Sequence, residues 1–216
     1  MIFTDRADAG RRLAIELAAY GGGDVRVLAL PRGGVPVAYE VARALHAPLD
    51  VFVVRKIGAP GREELALGAI ASGGVRVLNE DTIIALGVDA PTLEAIAQRE
   101  LHELQRREEA YRDGLPAPDV TQRTVILIDD GLATGASMHA AVLALRERRP
   151  KAIVAAVPVA PLDTCVMLAP LVEGLVVLST PEPFRGVGAW YVDFSQVSDE
   201  RVRELLRDAS HAVGKS

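Results

Sequence analysis

The chain has 216 residues, 50% hydrophobic and 25% charged, a balance that fits one folded globular domain and excludes disorder over most of its length. Its formal net charge of -5 argues against holding DNA, RNA or an anionic membrane by bulk charge. The single cysteine, Cys165, excludes an internal disulfide framework and a cysteine-cluster metal site, and points to a reducing, cytoplasmic compartment.

In chain order, apolar positions at Leu13, Ile15, Leu17 and Ala18 predict an amphipathic helix over 6–20, stopped by the glycines at 21–23. The opening stretch carries early acids and no apolar core before a small-residue cleavage site, so it does not read as a secretory leader. Val25–Leu30 is a short apolar run that predicts a buried strand. Pro31-Arg32-Gly33-Gly34 reads as a turn, and a helix is expected over 36–46. Leu49–Val54 predicts a second buried strand. Residues 55–74, rich in glycine, proline and charge, read as a long loop with a hairpin toward Leu78. A long polar helix is expected over 91–113, with Asp89 as N-cap and Gly114 as stop. Thr124–Ile128 predicts a third buried strand, followed by a helix at 136–148 and a fourth strand at 153–157. A helix near 162–171, a strand at 174–178 and a helix opening after Ser198 complete the pattern. No apolar run approaches the ~18 residues needed to span a bilayer.

Strands that are apolar throughout need both faces covered, and strands alternating with helices imply parallel pairing. The expected fold is therefore α/β, an open, doubly wound, mainly parallel sheet in a single domain. Its ligand site should lie at the carboxyl ends of the strands. Three loops meet that condition: residues 31–34, the segment after Val54, and the segment after Ile128.

The third loop carries the most information. A buried strand delivers Asp129 and Asp130 to its mouth, and Gly131-Leu-Ala133-Thr134-Gly135-Ala136-Ser137 turns into a helix start. Loop amides and the helix dipole there favour a phosphate, with hydroxyl donors from Thr134 and Ser137. Gly135 is followed by Ala136 rather than Lys-Ser/Thr, so this is no nucleotide-triphosphate loop. Two carboxylates beside an anion-binding loop suit a ligand with both a phosphate and a diol. The same carboxylates would stabilise positive charge developing on a sugar ring.

This string resembles the phosphoribosyl-diphosphate (PRPP) motif of type I phosphoribosyltransferases, and DDGLATGASM is nearest to the adenine enzymes of that family. The resemblance covers about 25–160. It implies that Asp129 and Asp130 hold the ribose hydroxyls and that Ala133, Thr134, Gly135, Ala136 and Ser137 bind the 5′-phosphate. It implies a pyrophosphate loop at Arg32, Gly33 and Gly34, in a segment where relatives often have a cis peptide. Arg55 and Lys56 match the basic pair that opens a mobile catalytic loop, expected here at about 57–74. Arg62 could add to their charge. The implied cofactor is Mg²⁺, held mainly by the substrate with help from Asp129 and Asp130. A homo-oligomer, in the family usually a dimer, is a further implication. The chain also looks like a group of bacterial phosphoribosyltransferase-like proteins that share PRGGV and VRKIGAPG.

The acceptor would be chosen by a hood, for which 1–20 and 181–194 are the candidates. Phe184, Trp190, Tyr191 and Phe194 crowd into the second. Phe184, Val187, Trp190 and Tyr191 are candidate acceptor contacts, as a stacking platform for a planar base or as ordinary core. Hypoxanthine-type relatives carry an acid where Ala133 stands. Adenine-type relatives use a mobile-loop glutamate, a role Glu63 or Glu64 could fill. Residues 79–123 form a helical insertion that reads as packing or oligomer surface, and Glu100–Arg112 as its solvated face. The expectation is Mg²⁺-dependent transfer of 5-phosphoribosyl from PRPP to a small-molecule acceptor, a purine-like base first, with no nucleic acid or membrane partner. The alternative is a non-catalytic PRPP- or nucleotide-binding module.

Overall fold

A computed structural model describes residues 1–112 and 117–213, without the side chains at 63, 64, 212 and 213. The expected helix stop at Gly114 and the side chains of Glu63 and Glu64 therefore lie outside the described residues. Five strands form one parallel sheet: β1 (Val25–Ala29), β2 (Leu49–Val51), β6 (Thr124–Ile128), β7 (Ala152–Val159) and β8 (Gly174–Ser179). Their spatial order is β2-β1-β6-β7-β8, so the fold is α/β with the chain crossing over between strands.

Alternation along the central strands explains why these runs are apolar at almost every position. Val27 and Ala29 of β1, Ile126 and Ile128 of β6, and Val154 and Ala156 of β7 enter one core cluster. That cluster is shared with helices α1 (Arg6–Glu16), α2 (Gly34–Leu45) and α7 (Asp199–Val213). Leu28, Val125, Leu127, Ile153, Ala155 and Val157 point the other way, into a second cluster. It is closed by α5 (Ala136–Glu147) and α6 (Leu162–Leu168). A period of two with both faces buried leaves few polar positions, here Arg26 of β1 and Thr124 of β6, both part-exposed.

The segment expected as a loop is the main correction. Val54–Ala59 (β3), Arg62–Ala71 (β4) and Val75–Leu78 (β5) form a separate antiparallel sheet in the order β3-β4-β5. The turns fall at Pro60-Gly61 and at Gly73-Gly74, where Gly61, Gly73 and Gly74 have positive φ. These strands leave part of their surface to solvent. Lys56 and Leu65 are exposed while Ile57 and Leu67 are buried. Such strands carry charge and glycine between their apolar residues, which hides them from a search for apolar runs. A register shift between Ile57 and Ala59 further breaks the alternation.

Two helices, α3 (Glu80–Leu86) and α4 (Ala90–Arg112), follow the small sheet. Asn79 caps the first, its side chain accepting from Thr82 N at 3.1 Å, and Asp89 accepts from Thr92 N at 2.7 Å ahead of the second. Helix α4 packs on β3, β4 and α7, and α5 packs on all three strands of the small sheet. The far end of α4 is pinned by Arg112, which donates to Asp50 (3.0 Å), Glu108 (2.6 Å) and the Val51 carbonyl (2.7 Å). Among the described residues no helix is long and apolar enough to cross a membrane.

Candidate functional site

The apolar strand β6 ends at Ile128, and the next two residues are Asp129 and Asp130. The parallel register pairs Ile128 with Ala29, and Leu30 N donates to the Ile128 carbonyl at 2.8 Å. That bond sets the 31–34 turn beside the acids. A Cβ on Gly33 would lie 2.0 Å from Asp130 Oδ2, and one on Gly34 would lie 2.7 Å from the Ile128 carbonyl oxygen. Only glycine admits so close an approach. The Pro31–Arg32 peptide is cis.

The acid pair is an electrostatic problem within the fold. Asp129 accepts a hydrogen bond from Asp130 N at 2.8 Å. Burial, followed by the neighbouring Asp130 charge, raises Asp129 well above the ordinary carboxylate range. Burial also raises Asp130, opposed by a guanidinium that the sequence did not reveal. Arg6 donates through Nε to Asp130 Oδ2 at 2.7 Å, with the two side chains only 11% and 13% exposed. Arg6 Nη1 also donates to the Ser195 carbonyl at 2.8 Å, and its guanidinium carbon lies 4.0 Å from the centre of the Phe194 ring.

Arg6 is delivered by the first turn of α1, whose N-cap Asp5 accepts from Asp8 N at 2.7 Å. The segment ahead of it is anchored by backbone bonds from Phe3 N to the Trp190 carbonyl and from Val192 N to the Phe3 carbonyl, both 2.8 Å. The N-terminus and 181–194 thus form one unit above the acids. Tyr191 O–H donates to the Asp130 carbonyl at 2.6 Å, and burial pushes its phenol far up. Its ring packs on Phe3 at 5.4 Å and Phe194 at 5.1 Å. Tyr191 therefore helps build the wall rather than offering a free stacking face. Val187 abuts the acid loop, since a Cβ on Gly131 would lie 2.5 Å from Val187 Cγ1. Phe184 and Trp190 are half-buried in the same apolar cluster. Trp190 Nε1 is buried without a hydrogen-bond partner among the described residues.

The loop after the acids is held from beneath. Thr164 Oγ1 donates to the Ala133 carbonyl at 2.8 Å. Gly135 takes φ +73, and a Cβ there would lie 2.7 Å from Thr164 Cγ2. Ala133, Thr134, Ala136 and Ser137 surround it at the N-terminus of α5, with Ala133, Thr134 and Ser137 close to solvent. Thr164 is a second residue that no sequence signal singles out; it shapes the loop without lying in it.

The basic residues are distributed around this centre. Lys56 is exposed and lines a cleft of about 610 Å³ with Ala136, Ser137 and His139, so the small sheet faces the phosphate-loop helix. Arg55 turns the other way and donates to Glu100 of α4 through Nε (3.0 Å) and Nη2 (2.7 Å). Arg32 Nη1 lies 3.6 Å from Asp199 Oδ1. The structure thus gathers Asp129, Asp130, Gly33, Gly34, Val187 and Tyr191 at one point. Lys56 lines a cleft with Ala136 and Ser137 at the start of α5, and Arg55 and Arg32 stand toward α4 and α7. Among the described residues no group of three or more His, Cys, Asp or Glu forms a protein metal cage.

Comparison with known proteins gives three findings. A phosphoribosyl transferase domain model matches residues 2–168. Two Mycobacterium tuberculosis proteins, from strains CDC 1551 / Oshkosh and ATCC 25618 / H37Rv, are each 47% identical over 210 residues, covering 97% of this chain and 47% of theirs. Both are named as candidate phosphoribosyl transferases. The chain therefore spans about half the length of the curated relatives it matches. The crystal structure of TT1426 from Thermus thermophilus aligns with a TM-score of 0.87 at 45% identity, covering 96% of this chain and 99% of that one.

Proposed function

The chain belongs to the phosphoribosyl transferase family, and on that premise we propose that it moves 5-phosphoribosyl from PRPP to a small acceptor, releasing pyrophosphate. The observation that carries the proposal is the contact of the 31–34 turn with the acid pair, beside a loop at a helix N-terminus. Three ligand parts find complementary chemistry there. The ribose diol would donate to carboxylate oxygens of Asp129 and Asp130. The 5′-phosphate would accept from the amides and hydroxyls of 133–137. The diphosphate would lie over the turn at Arg32, Gly33 and Gly34.

In the reaction the C1′–oxygen bond breaks and its electron pair leaves with pyrophosphate. The acceptor's lone pair forms the new bond to C1′, and the acceptor's proton passes to solvent. The ring gains positive character on the way, which the carboxylates stabilise, while Arg32, Arg55 and Lys56 stabilise the leaving charge. Asp129 and Asp130 fit a hard divalent cation, because they are oxygen ligands crowded by like charge, with Arg6 alone set against them. With substrate oxygens they would hold Mg²⁺, which when bound supplies charge neutralisation at the diphosphate. The small sheet β3-β4-β5 would exclude water over the donor. A purine-like base is the proposed acceptor, supported by the aromatic cluster at 184–194 beside the acids. A dimer working in the cytoplasm completes the proposal.

A non-catalytic PRPP- or nucleotide-binding module is the second reading. It is favoured by two pairs, Arg6 with Asp130 and Arg55 with Glu100, which engage groups the reaction would use. Calorimetric titration of PRPP with and without Mg²⁺, against wild type and Asp129→Asn/Asp130→Asn, tests both. Mg²⁺-dependent binding lost in the variant is expected. No binding to folded wild type would overturn both. Release of pyrophosphate in an acceptor screen then separates transfer from binding alone.

A further inference from the structure

The Gly33 side of the 31–34 turn touches the acid pair, while the Arg32 side chain opens onto a different cleft. That cleft has a volume of about 490 Å³ and is walled by Arg32, Arg106, Arg107, Tyr111 and Asp199. Arg106 and Arg107 belong to α4, so the long helix presents two guanidiniums to the far side of the turn. We infer that this cleft is a binding site for a diphosphate anion, with Arg106 and Arg107 as its principal cations. The identity of the ligand rests on the transferase reading; the cleft itself does not.

The charges around the cleft do not cancel. Glu103 accepts from Arg106 Nε (2.8 Å) and Nη2 (2.9 Å) and from Arg107 Nε (2.9 Å). Asp199 accepts from Tyr111 O–H at 2.9 Å and stands 3.6 Å from Arg32 Nη1. Among the described residues that make these contacts, three guanidiniums meet two carboxylates. One carboxylate serves both helix arginines, and the other is held by a phenol. Each guanidinium has five N–H donors, and among the described residues those bonds use two of Arg106 and one of Arg107. The remaining donors are available to a ligand. The Arg32, Arg106 and Arg107 side chains are 39%, 70% and 41% exposed, so an anion can reach them without opening the core.

Geometry selects a diphosphate over a single phosphate. A sugar held at the acid pair would lie against Gly33, and Pro31 and Arg32 of the same turn line this cleft. Forked guanidiniums match phosphate oxygens in pairs, and three of them around one cleft suit an anion with two phosphate groups. The proximal phosphate would meet the turn and the distal one the α4 arginines. The helical insertion thereby gains a role at the leaving-group end, beyond packing.

The test is calorimetry of inorganic diphosphate against the full chain at fixed Mg²⁺. Wild type, Arg106→Gln/Arg107→Gln and the charge-matched control Arg201→Gln/Arg207→Gln, on the exposed face of α7, are compared. At least a tenfold loss of affinity in the cleft variant is expected, with the control within twofold of wild type. Equal affinity in wild type and cleft variant, or no binding by wild type, would overturn the inference. In a parallel titration without Mg²⁺, Asp129→Asn/Asp130→Asn should keep its diphosphate affinity, which separates this site from the ribose site. A PRPP titration of the cleft variant identifies the source. A parallel loss assigns the cleft to the donor's diphosphate end, and an unchanged PRPP affinity assigns it to free diphosphate. Circular dichroism of the cleft variant confirms that a loss is not unfolding.

Discussion

The acid pair and the arginine cleft flank the same four-residue turn and handle charge in opposite ways. On one side two carboxylates are withdrawn from water, and among the described residues Arg6 is the cation bonded to one of them, Asp130. On the other, three arginines stand around two carboxylates at the surface. The first arrangement costs stability in the folded protein, because desolvated like charges have little to offset them. The second costs almost nothing, because exposed pairs are weak and replaceable. A ligand changes the two sites differently. At the acids it would relieve an existing penalty, and at the cleft it would exchange one set of surface partners for another.

The largest effect should come from removing the cation on the buried side. Arg6→Met leaves Asp130 beside Asp129 without this guanidinium and should lower unfolding free energy by about 3 kcal/mol, the low end of the range for breaking a buried pair. Urea denaturation would show it, and an unchanged midpoint would mean that Arg6 does not stabilise the acids. Next is Asp129→Asn, which should stabilise the fold at pH 7 and raise the urea midpoint, given the raised folded pKa. A carboxyl whose folded pKa lies above its unfolded value is neutral in both states in acid. Its penalty appears as pH climbs past the ordinary carboxylate range and is complete above the folded pKa. The advantage of the asparagine variant should therefore shrink when the midpoint is measured at lower pH. A variant that is less stable than wild type at pH 7 would break the contrast between the two sides of the turn.

Smaller effects belong to the cleft. Arg106→Gln/Arg107→Gln removes only exposed pairs and should change stability by less than about 1 kcal/mol. Thermal melting checks this, and a large drop would show that the cleft arginines are structural. The smallest expected signal is in Tyr111. Burial, with the bond to Asp199, pushes its phenol up to about 12. Ultraviolet titration should find a tyrosine ionising late, and Asp199→Asn should bring it back toward the ordinary phenol value of about 10. Between those two pH values the wild type loses the stability that the neutral phenol confers, since the unfolded phenol has already ionised.

Much of this was legible in the residues. The five parallel strands announced themselves because burial keeps them mostly apolar, most completely in β6 and β7. The acid pair and its loop were readable because Asp129-Asp130 follow such a strand and Gly135 precedes a helix. The β4-β5 hairpin toward Leu78 was readable, but the pairing of β3 with β4 was not, because Arg55, Lys56 and Arg62 are interspersed there with apolar residues in the manner of a charged loop. Arg6 carries no local sign of its role: it is one arginine among many, and only the folding of α1 against 191–195 brings it to Asp130. Arg106 and Arg107 read as solvated helix charge, which they are, but the sequence does not say that α4 ends its course beside Arg32.

The bridge between Phe3 and Tyr191 has a consequence for how the protein is made. Synthesis runs from the amino terminus, so Arg6 leaves the ribosome long before Asp130, and both leave before Tyr191. The sheet strands β1, β2, β6 and β7 can associate while residues near 191 are still being added. The mouth of the sheet cannot be finished until they arrive, because Phe3 has no strand partner and Tyr191 is not yet there to hold the Asp130 carbonyl. A nascent chain halted after β8 would therefore carry an assembled sheet and an incomplete roof. The arrival of the stretch around Tyr191 decides when the acids reach their final surroundings.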